Sequence, residues 1–347
     1  MAGKTNRGRR TRRQARRMTP KNHTGFTDKI RHAAAEVAAM AKHVRLNGDK
    51  ISAYTAALLR ARKPQMTALD NQTLGGGKTV EQKAAYALAL DAVNFGSGYF
   101  ELARESGVAL EYAELALHLR AAFDNEGFDR PAAWAEVTPA RCHDIFRIPA
   151  GAHPRLDELM VLFARHLNEA GQRIIADYAG QVANLLESAG GSAEGLAFLV
   201  GGWQGFADVA DYRGISVPIY KRAQIFAADV WLSFGGTGAA AFHDMQNLTI
   251  FADNMVPHVL RHAGVLTYTP DLAARVDAGA EITAGSEEET ELRAVSIHAV
   301  ERMRAAAATM DGHAGITAVN LDHILWNRGY EADLIDLPRH RTLTVFY

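Results

Sequence analysis

The chain has 347 residues, enough for one large domain or two ordinary ones, and its 48% apolar and 22% charged content excludes a collagen-like or wholly disordered protein. No run of about 18 apolar residues exists, which excludes a helical membrane span, and a single cysteine, Cys142, excludes an intrachain disulfide framework or a cysteine-built zinc site. The net charge of −1 hides two unlike parts: residues 1–21 carry nine Lys and Arg and no acid, leaving 29 cations against 39 anions in the remainder.

Residues 1–23 are expected to form a disordered basic tail, because a block of like charges without an apolar stripe has nothing to bury. Such a tail serves solubility or touches RNA phosphates. The acidic body argues against a grip on nucleic acid elsewhere. No apolar run follows the basic start, so no signal peptide is expected and the cytoplasm is the default compartment.

From Thr27 the pattern is helical, with Ile30, Ala34, Val37, Met40 and Ala41 on one face. A second helix is expected over Ile51–Leu59, after Asn47-Gly48-Asp49. A polar loop, 70–78, precedes an Ala- and Leu-rich helix over 80–104. Gly75-Gly76-Gly77-Lys78-Thr79 in that loop lacks the earlier glycine and the preceding strand of a phosphate-binding loop. Prolines and glycines break 123–156 into loops and short helices. Long and short helices are expected over 156–187 and 193–201. Ile219, Ala223, Phe226, Val230 and Phe234 mark another helix, closed by Gly235-Gly236. Val256–His262 has Pro257 in its first turn and Gly264 beyond its end. Ser286 and Glu289 are spaced as a capping box opening a helix with Leu292, Val295, Ala299, Val300 and Met303. Strand patterns are scarce: Thr342–Tyr347 is the clearest, Ile215–Val217 a weaker one. The expected fold is mainly α, a single compact body over 24–347 with a few short strands.

Of 14 histidines, only His258 and His262 have ligand-like spacing, and no acidic third ligand stands beside them, so no metal or other cofactor is expected. Cys142-His143 is adjacent only in sequence. The dense region is Phe206–His258, where Asp208, Asp211, Lys221, Arg222, Gln224, Asp229 and Asp253 lie among aromatic residues. Asp253 and Asn254 sit at the start of the Pro257 helix. That position suits a cap, and it equally suits a carboxylate kept charged by free N–H groups.

Five segments, in order, carry a more specific signal: Val217-Pro218-Ile219-Tyr220-Lys221-Arg222-Ala223-Gln224-Ile225; Thr249-Ile250-Phe251-Ala252-Asp253 with Val256-Pro257; Glu289-Thr290-Glu291-Leu292-Arg293; Asp322-His323-Ile324-Leu325-Trp326; and Pro338-Arg339-His340-Arg341 with a terminal aromatic. Together they resemble the queuosine salvage protein family, the queuosine 5′-phosphate N-glycosylase/hydrolases, over roughly Ala41–Tyr347. The resemblance implies a helical fold related to helix-hairpin-helix DNA glycosylases. It also implies hydrolysis of the N-glycosidic bond of queuosine 5′-phosphate, releasing queuine, a 7-deazaguanine with a cationic aminomethyl arm. The implied catalytic residues are Asp253 and Lys221. The implied substrate contacts are Phe206, Asp208, Arg222, Asn254, Asp322 and Trp326. The partner is thus a small nucleotide, with nucleic acid reached only through the tail.

Two segments depart from the family pattern. Asn254-Met255 stand where Tyr-Arg is common, and Asn94-Phe95-Gly96-Ser97-Gly98-Tyr99 lacks two bulky aromatics. The departures leave room for an N-glycosidase of another modified nucleotide, and the tail for a non-catalytic RNA-associated binding protein or, at the limit, a helical scaffold whose acids are only caps.

Overall fold

The computed structural model describes residues 25–75 and 78–347. The expected tail, and the middle of the Gly-rich loop, lie outside the described residues. Among these, fifteen α-helices and four short strands are present, so the mainly α expectation holds.

The centre of the body is the helix Val80–Val93, whose residues Ala84 to Val93 are all buried. A helix apolar on every side must be enclosed by other elements. Lys221–Phe234 packs on one side of it, Pro154–Asp177 and Val182–Ser188 on others, and Tyr112–Asn125 on a further one. Thr79 starts this helix through a reciprocal capping box with Gln82. Lys78 pairs with Asp124 at 2.8 Å.

Phe26–Met40 packs along Glu287–Ala307, which also meets Gly48–Ala61 and Ala318–Arg328. Two antiparallel ribbons complete the fold. Val44–Leu46 pairs with Leu266–Tyr268, with Arg45 opposite Thr267. Val209–Tyr212 pairs with Ile215–Pro218 around Arg213-Gly214, both at positive φ (54° and 82°), the geometry of a tight hairpin turn.

Three expectations are corrected. The helix from residue 80 stops at Val93; Asn94 caps it, and Gly96 at φ 102° turns the chain before a short helix, Phe100–Glu105. The helix over 156–187 ends at Asp177, because Ala179 and Gly180 take positive φ before Val182–Ser188. Thr342–Tyr347 forms no strand: only Arg341 makes an isolated bridge, to Glu281. Its alternation instead buries Thr342, Thr344 and Tyr347 as a strap across the core. The strap is fixed where Gly96 N donates to Tyr347 O at 3.0 Å. The Ser286 cap is half as expected. Ser286 accepts from Glu289 N, but Glu289 accepts from Gly285 N.

Gly171 lets Pro154–Asp177 lie against Pro131–Ala135, since a Cβ there would stand 2.5 Å from both Ala135 N and Pro131 O. Neither contact atom can yield without moving backbone. Gly171→Ala is therefore expected to lower stability by about 1–3 kcal/mol through overpacking, measured by chemical denaturation, with the secondary structure retained by circular dichroism.

Candidate active site

The chain from Leu248 to Asp253 has no regular secondary structure, yet all of it but the half-buried Phe251 is buried. Its backbone groups must be satisfied by side chains. Gln224 accepts from Thr249 N at 2.9 Å and donates to the Thr249 hydroxyl at 3.0 Å. Asp322 accepts from Phe251 N at 2.9 Å. Arg293 donates from Nε to the Ala252 carbonyl at 2.9 Å. Each clamp comes from a different sequence segment, and together they deliver Asp253.

Asp253 sits one residue before the cap of Met255–His262, and its Oδ1 accepts from Met255 N at 2.7 Å and Val256 N at 3.3 Å. It is therefore a helix-capping carboxylate. It also lines a cavity of about 900 Å³, a size suited to a small-molecule ligand. Lys221, Asn254, Asp322 and Trp326 line the same cavity, with Phe251 and Tyr330 adding aromatic wall. Lys221 and Asp253, 32 positions apart in sequence, thus meet only through packing.

Lys221 is the first residue of its helix, and its buried Nζ donates to Asn94 O at 3.2 Å and Asn94 Oδ1 at 3.4 Å. Burial lowers the Lys221 pKa, and the negative charge of Asp253 acts the other way. Burial, and then the Asp253 charge, push the Asp322 carboxyl up to about 8. Below about pH 8 the cavity thus holds a protonated carboxyl, with the Lys221 amine, beside Asp253. Such a set can stabilise positive charge and lend a proton in one reaction.

Three expected contact residues lie away from the cavity wall. Asp208 is a buried ion-pair partner of Arg293, at 3.0 and 2.6 Å, and its Oδ2 also accepts from Lys221 N at 3.1 Å. Both oxygens are occupied, so it caps the Lys221 helix instead of reaching a ligand. Arg222, fully buried, donates to the carbonyls of Asp91 and Ala92, which end the Val80–Val93 helix, and to Gly205. Phe206 packs its ring on that guanidinium, 5.0 Å away, and on Trp203. These three position the wall without forming it. Arg293 also meets Glu289 at 3.4 Å, the expected four-residue pair, and lies over the Tyr347 ring at 4.6 Å. Glu291 accepts from Lys42, His43 and Val44 N–H groups and from Tyr212, so it is structural.

The histidine pair and the cysteine are structural too. The His258 and His262 rings meet edge to face at 4.7 Å, with His258 Nε2 against the Leu334 carbonyl at 3.2 Å. Burial pushes the Cys142 thiol up to about 12. Among the described residues, His43, Glu287 and Glu291 form the one cluster with metal-ligand spacing. Glu291 there is already committed to backbone donors.

Sequence reasoning assigned no role to Asp91, Asp229, Arg339 or Arg341. Asp229, Arg339 and Arg341 line the cavity. Asp91 was detectable in principle as a lone charge inside the Ala-Leu run of the helix from residue 80. Arg339 and Arg341 stood in a segment that carries the family resemblance and Asp229 in the dense region, but nothing in the sequence singled out their side chains.

A family model described as queuosine salvage protein matches residues 76–347. A queuosine 5′-phosphate N-glycosylase/hydrolase of Sphaerobacter thermophilus is 40% identical over 272 residues, 77% of this chain and 82% of that protein. One of Dictyostelium discoideum is 34% identical over 333 residues, 92% of this chain and 98% of that protein. One of Mus musculus is 31% identical over 225 residues, 62% of this chain and 65% of that protein.

The Arg293–Asp208 pair is buried, with side chains 2% and 3% exposed. Removing Asp208 leaves the buried Arg293 with only the longer Glu289 contact as counter-charge. Asp208→Ala is expected to destabilise the fold by about 3–5 kcal/mol, and to loosen the cavity wall together with the core. Denaturant titration measures the first effect. Hydrogen exchange over Lys221–Phe234 and 249–256 measures the second.

Proposed function

The chain belongs to the queuosine salvage protein family, and we propose that it hydrolyses the N-glycosidic bond of queuosine 5′-phosphate, releasing queuine and ribose 5-phosphate. The observation that carries the reading is the meeting of Asp253, Lys221 and Asp322 in one aromatic-walled cavity.

Breaking the bond to the base builds positive charge on the ribose, an oxocarbenium-like state. Asp253, held by two helix N–H groups, presents a preorganised negative charge to that state and orients the attacking water. The departing 7-deazapurine needs a donor, and the protonated Asp322 supplies one. Lys221 balances the Asp253 charge before ribose charge develops. Phe251, Trp326 and Tyr330 offer ring faces to the flat base, and Asn254 a hydrogen-bonding edge. Arg339 and Arg341 offer counter-charge for a 5′-phosphate on the same wall. Phe206, Asp208 and Arg222 act by positioning Lys221 and its helix.

The lysine–aspartate pairing also supports relating the fold to helix-hairpin-helix DNA glycosylases, to whose lysine and aspartate Lys221 and Asp253 correspond. Contact with nucleic acid falls to the basic N-terminal segment, because the body carries excess acid. One buried cysteine suits a reducing compartment such as the cytoplasm.

Asp253→Asn keeps an oxygen for the cap and loses the charge. Single-turnover base release is expected to slow by about two to three orders of magnitude, or roughly 2–4 kcal/mol, with the melting curve nearly unchanged. A variant turning over within about threefold of wild type, well below that effect, would reduce Asp253 to a helix cap.

The Asp322 role sets the pH profile. Below about 8 its carboxyl holds a proton; above it the donor is lost and a second negative charge appears beside Asp253. Wild-type kcat/KM is expected to fall as pH rises through about 8. Asp322→Asn, which still accepts from Phe251 N, is expected to be slower and to lack that limb. A limb that persists in the variant assigns it to Lys221 instead.

A further inference from the structure

Behind the cavity wall lies a buried carboxyl that the mechanism does not use. Asp91 is 0% exposed in the last turn of Val80–Val93, and it does not border the cavity. Asn94, which does line the wall, links it to Lys221. Asn94 Nδ2 donates to Asp91 Oδ1 at 3.2 Å, and Asn94 Oδ1 accepts from Lys221 Nζ at 3.4 Å. The Asn94 carbonyl accepts from the same Nζ at 3.2 Å. Asp91, Asn94 and Lys221 thus form one hydrogen-bonded chain that starts in the core and ends on the cavity.

An amide side chain has an oxygen on one edge and an NH2 on the other. An ammonium only donates, so it needs the oxygen edge. A carboxylate only accepts, so Asp91 takes the NH2 edge and decides which way the Asn94 amide faces. The end of Val80–Val93 acts in the same sense, since Lys221 holds the Asn94 carbonyl and Arg222 those of Asp91 and Ala92. Charges face Lys221 from several elements. Asp253 and Asp91 favour its ammonium form, whereas Arg222 and Arg293 oppose it. Asp229 and Asp322 also feel it, and Arg339 and Arg341 share its cavity. The Tyr112 hydroxyl faces both Asp229 and Asp91. Burial pushes Asp91 up to about 7 and Asp229 well above the carboxylate range, so of these two Asp91 loses its proton first. Above about pH 7 it is the negative end of the chain.

We propose that Asp91 is a positioning residue for Lys221: it fixes the Asn94 amide, and through that amide holds the Lys221 amino group on the cavity wall in its ammonium form. The inference rests on the function proposed above, in which Lys221 balances the charge of Asp253. Its reach is indirect, since Asp91 does not border the cavity. A purely structural Asp91 would instead offset the neighbouring Arg222 guanidinium, whose buried Nε has no partner. That duty would leave Lys221 unmoved, which separates the two roles.

The test reads Lys221 directly as well as turnover. Protein made with isotope-labelled lysine is titrated by NMR, and the Lys221 amine resonance is identified by its loss in Lys221→Arg. Asp91→Asn removes a nearby negative charge and Asn94→Ala removes the bridge, so each is expected to lower the Lys221 pKa by about half a unit or more. Release of base from queuosine 5′-phosphate is expected to slow about tenfold in each, the scale of a charge-assisted hydrogen bond, with KM little changed. The double variant is expected to be no slower than the slower single one, because both act through one chain. Losses that multiply, or a lowered melting temperature with Lys221 titrating as in the wild type, overturn the positioning role and leave Asp91 a structural charge. A shifted Lys221 with turnover unchanged in Asp91→Asn also overturns it. If Asp91→Asn fails to fold, Asn94→Ala decides: Lys221 and turnover unchanged there overturn the role. No base release by the wild type, with Lys221 still shifted in the variants, overturns the hydrolase reading and retains the chain from Asp91 to Lys221.

Discussion

A buried stretch of backbone with no secondary structure must find its hydrogen bonds in side chains, and in this protein that stretch runs from Thr249 to Asp253. Gln224 satisfies its start, Asp322 its middle and Arg293 its end. Arg293 in turn grips Asp208, which caps the helix of Lys221. One guanidinium therefore fixes both the aspartate and the lysine of the cavity. The strap at the C-terminus joins the same arrangement, since the Tyr347 ring lies under Arg293 and Asn254 donates to the His340 carbonyl at 3.4 Å. The five sequence segments that carry the family resemblance are thus five parts of one clamp around Asp253.

The same economy explains how so many charges survive inside a helical body. Asp208, Glu289 and Glu291 are engaged by Arg293 or by backbone N–H groups and need no ligand. Lys221, Asp253 and Asp322 border a cavity, where a ligand or water completes their hydrogen bonding. Asp91, and Asp229 on the cavity wall, each keep one oxygen without a protein partner. Rigid structural charges and reactive ones sit within a few residues of each other: Arg222 follows Lys221 directly, yet only Lys221 reaches the cavity.

The helical pattern was legible because apolar residues recur at helical spacing, and most elements formed where that spacing placed them. It misled where backbone conformation, and not side-chain polarity, ended an element. The run over 80–104 looks helical, but Gly96 at φ 102° breaks it, and a turn at Ala179 and Gly180 does the same later. The alternation of Thr342–Tyr347 was real but served burial on a strap, because no strand edge lay beside it. Asp253 was legible as a carboxylate at a helix start, and it is one. The sequence left open whether it was a cap or faced a ligand; the structure gives it both a cap's bonds and a cavity.

What the residue order determined by itself was the mainly helical character, the excess acid of the body and the family to which its separated motifs belong. These depend on local spacing, composition and motif identity, which are fully present in one dimension. The tertiary structure alone decided which of those motif residues meet the cavity. Asp208, Arg222 and Phe206 lie near Lys221 in the chain but turn into the core, whereas Asp229, Arg339 and Arg341, which had no assigned role, turn toward the ligand space. Successive residues on a helix point about 100° apart, so neighbours in sequence part company at a wall whose position is set by helices more than a hundred residues away.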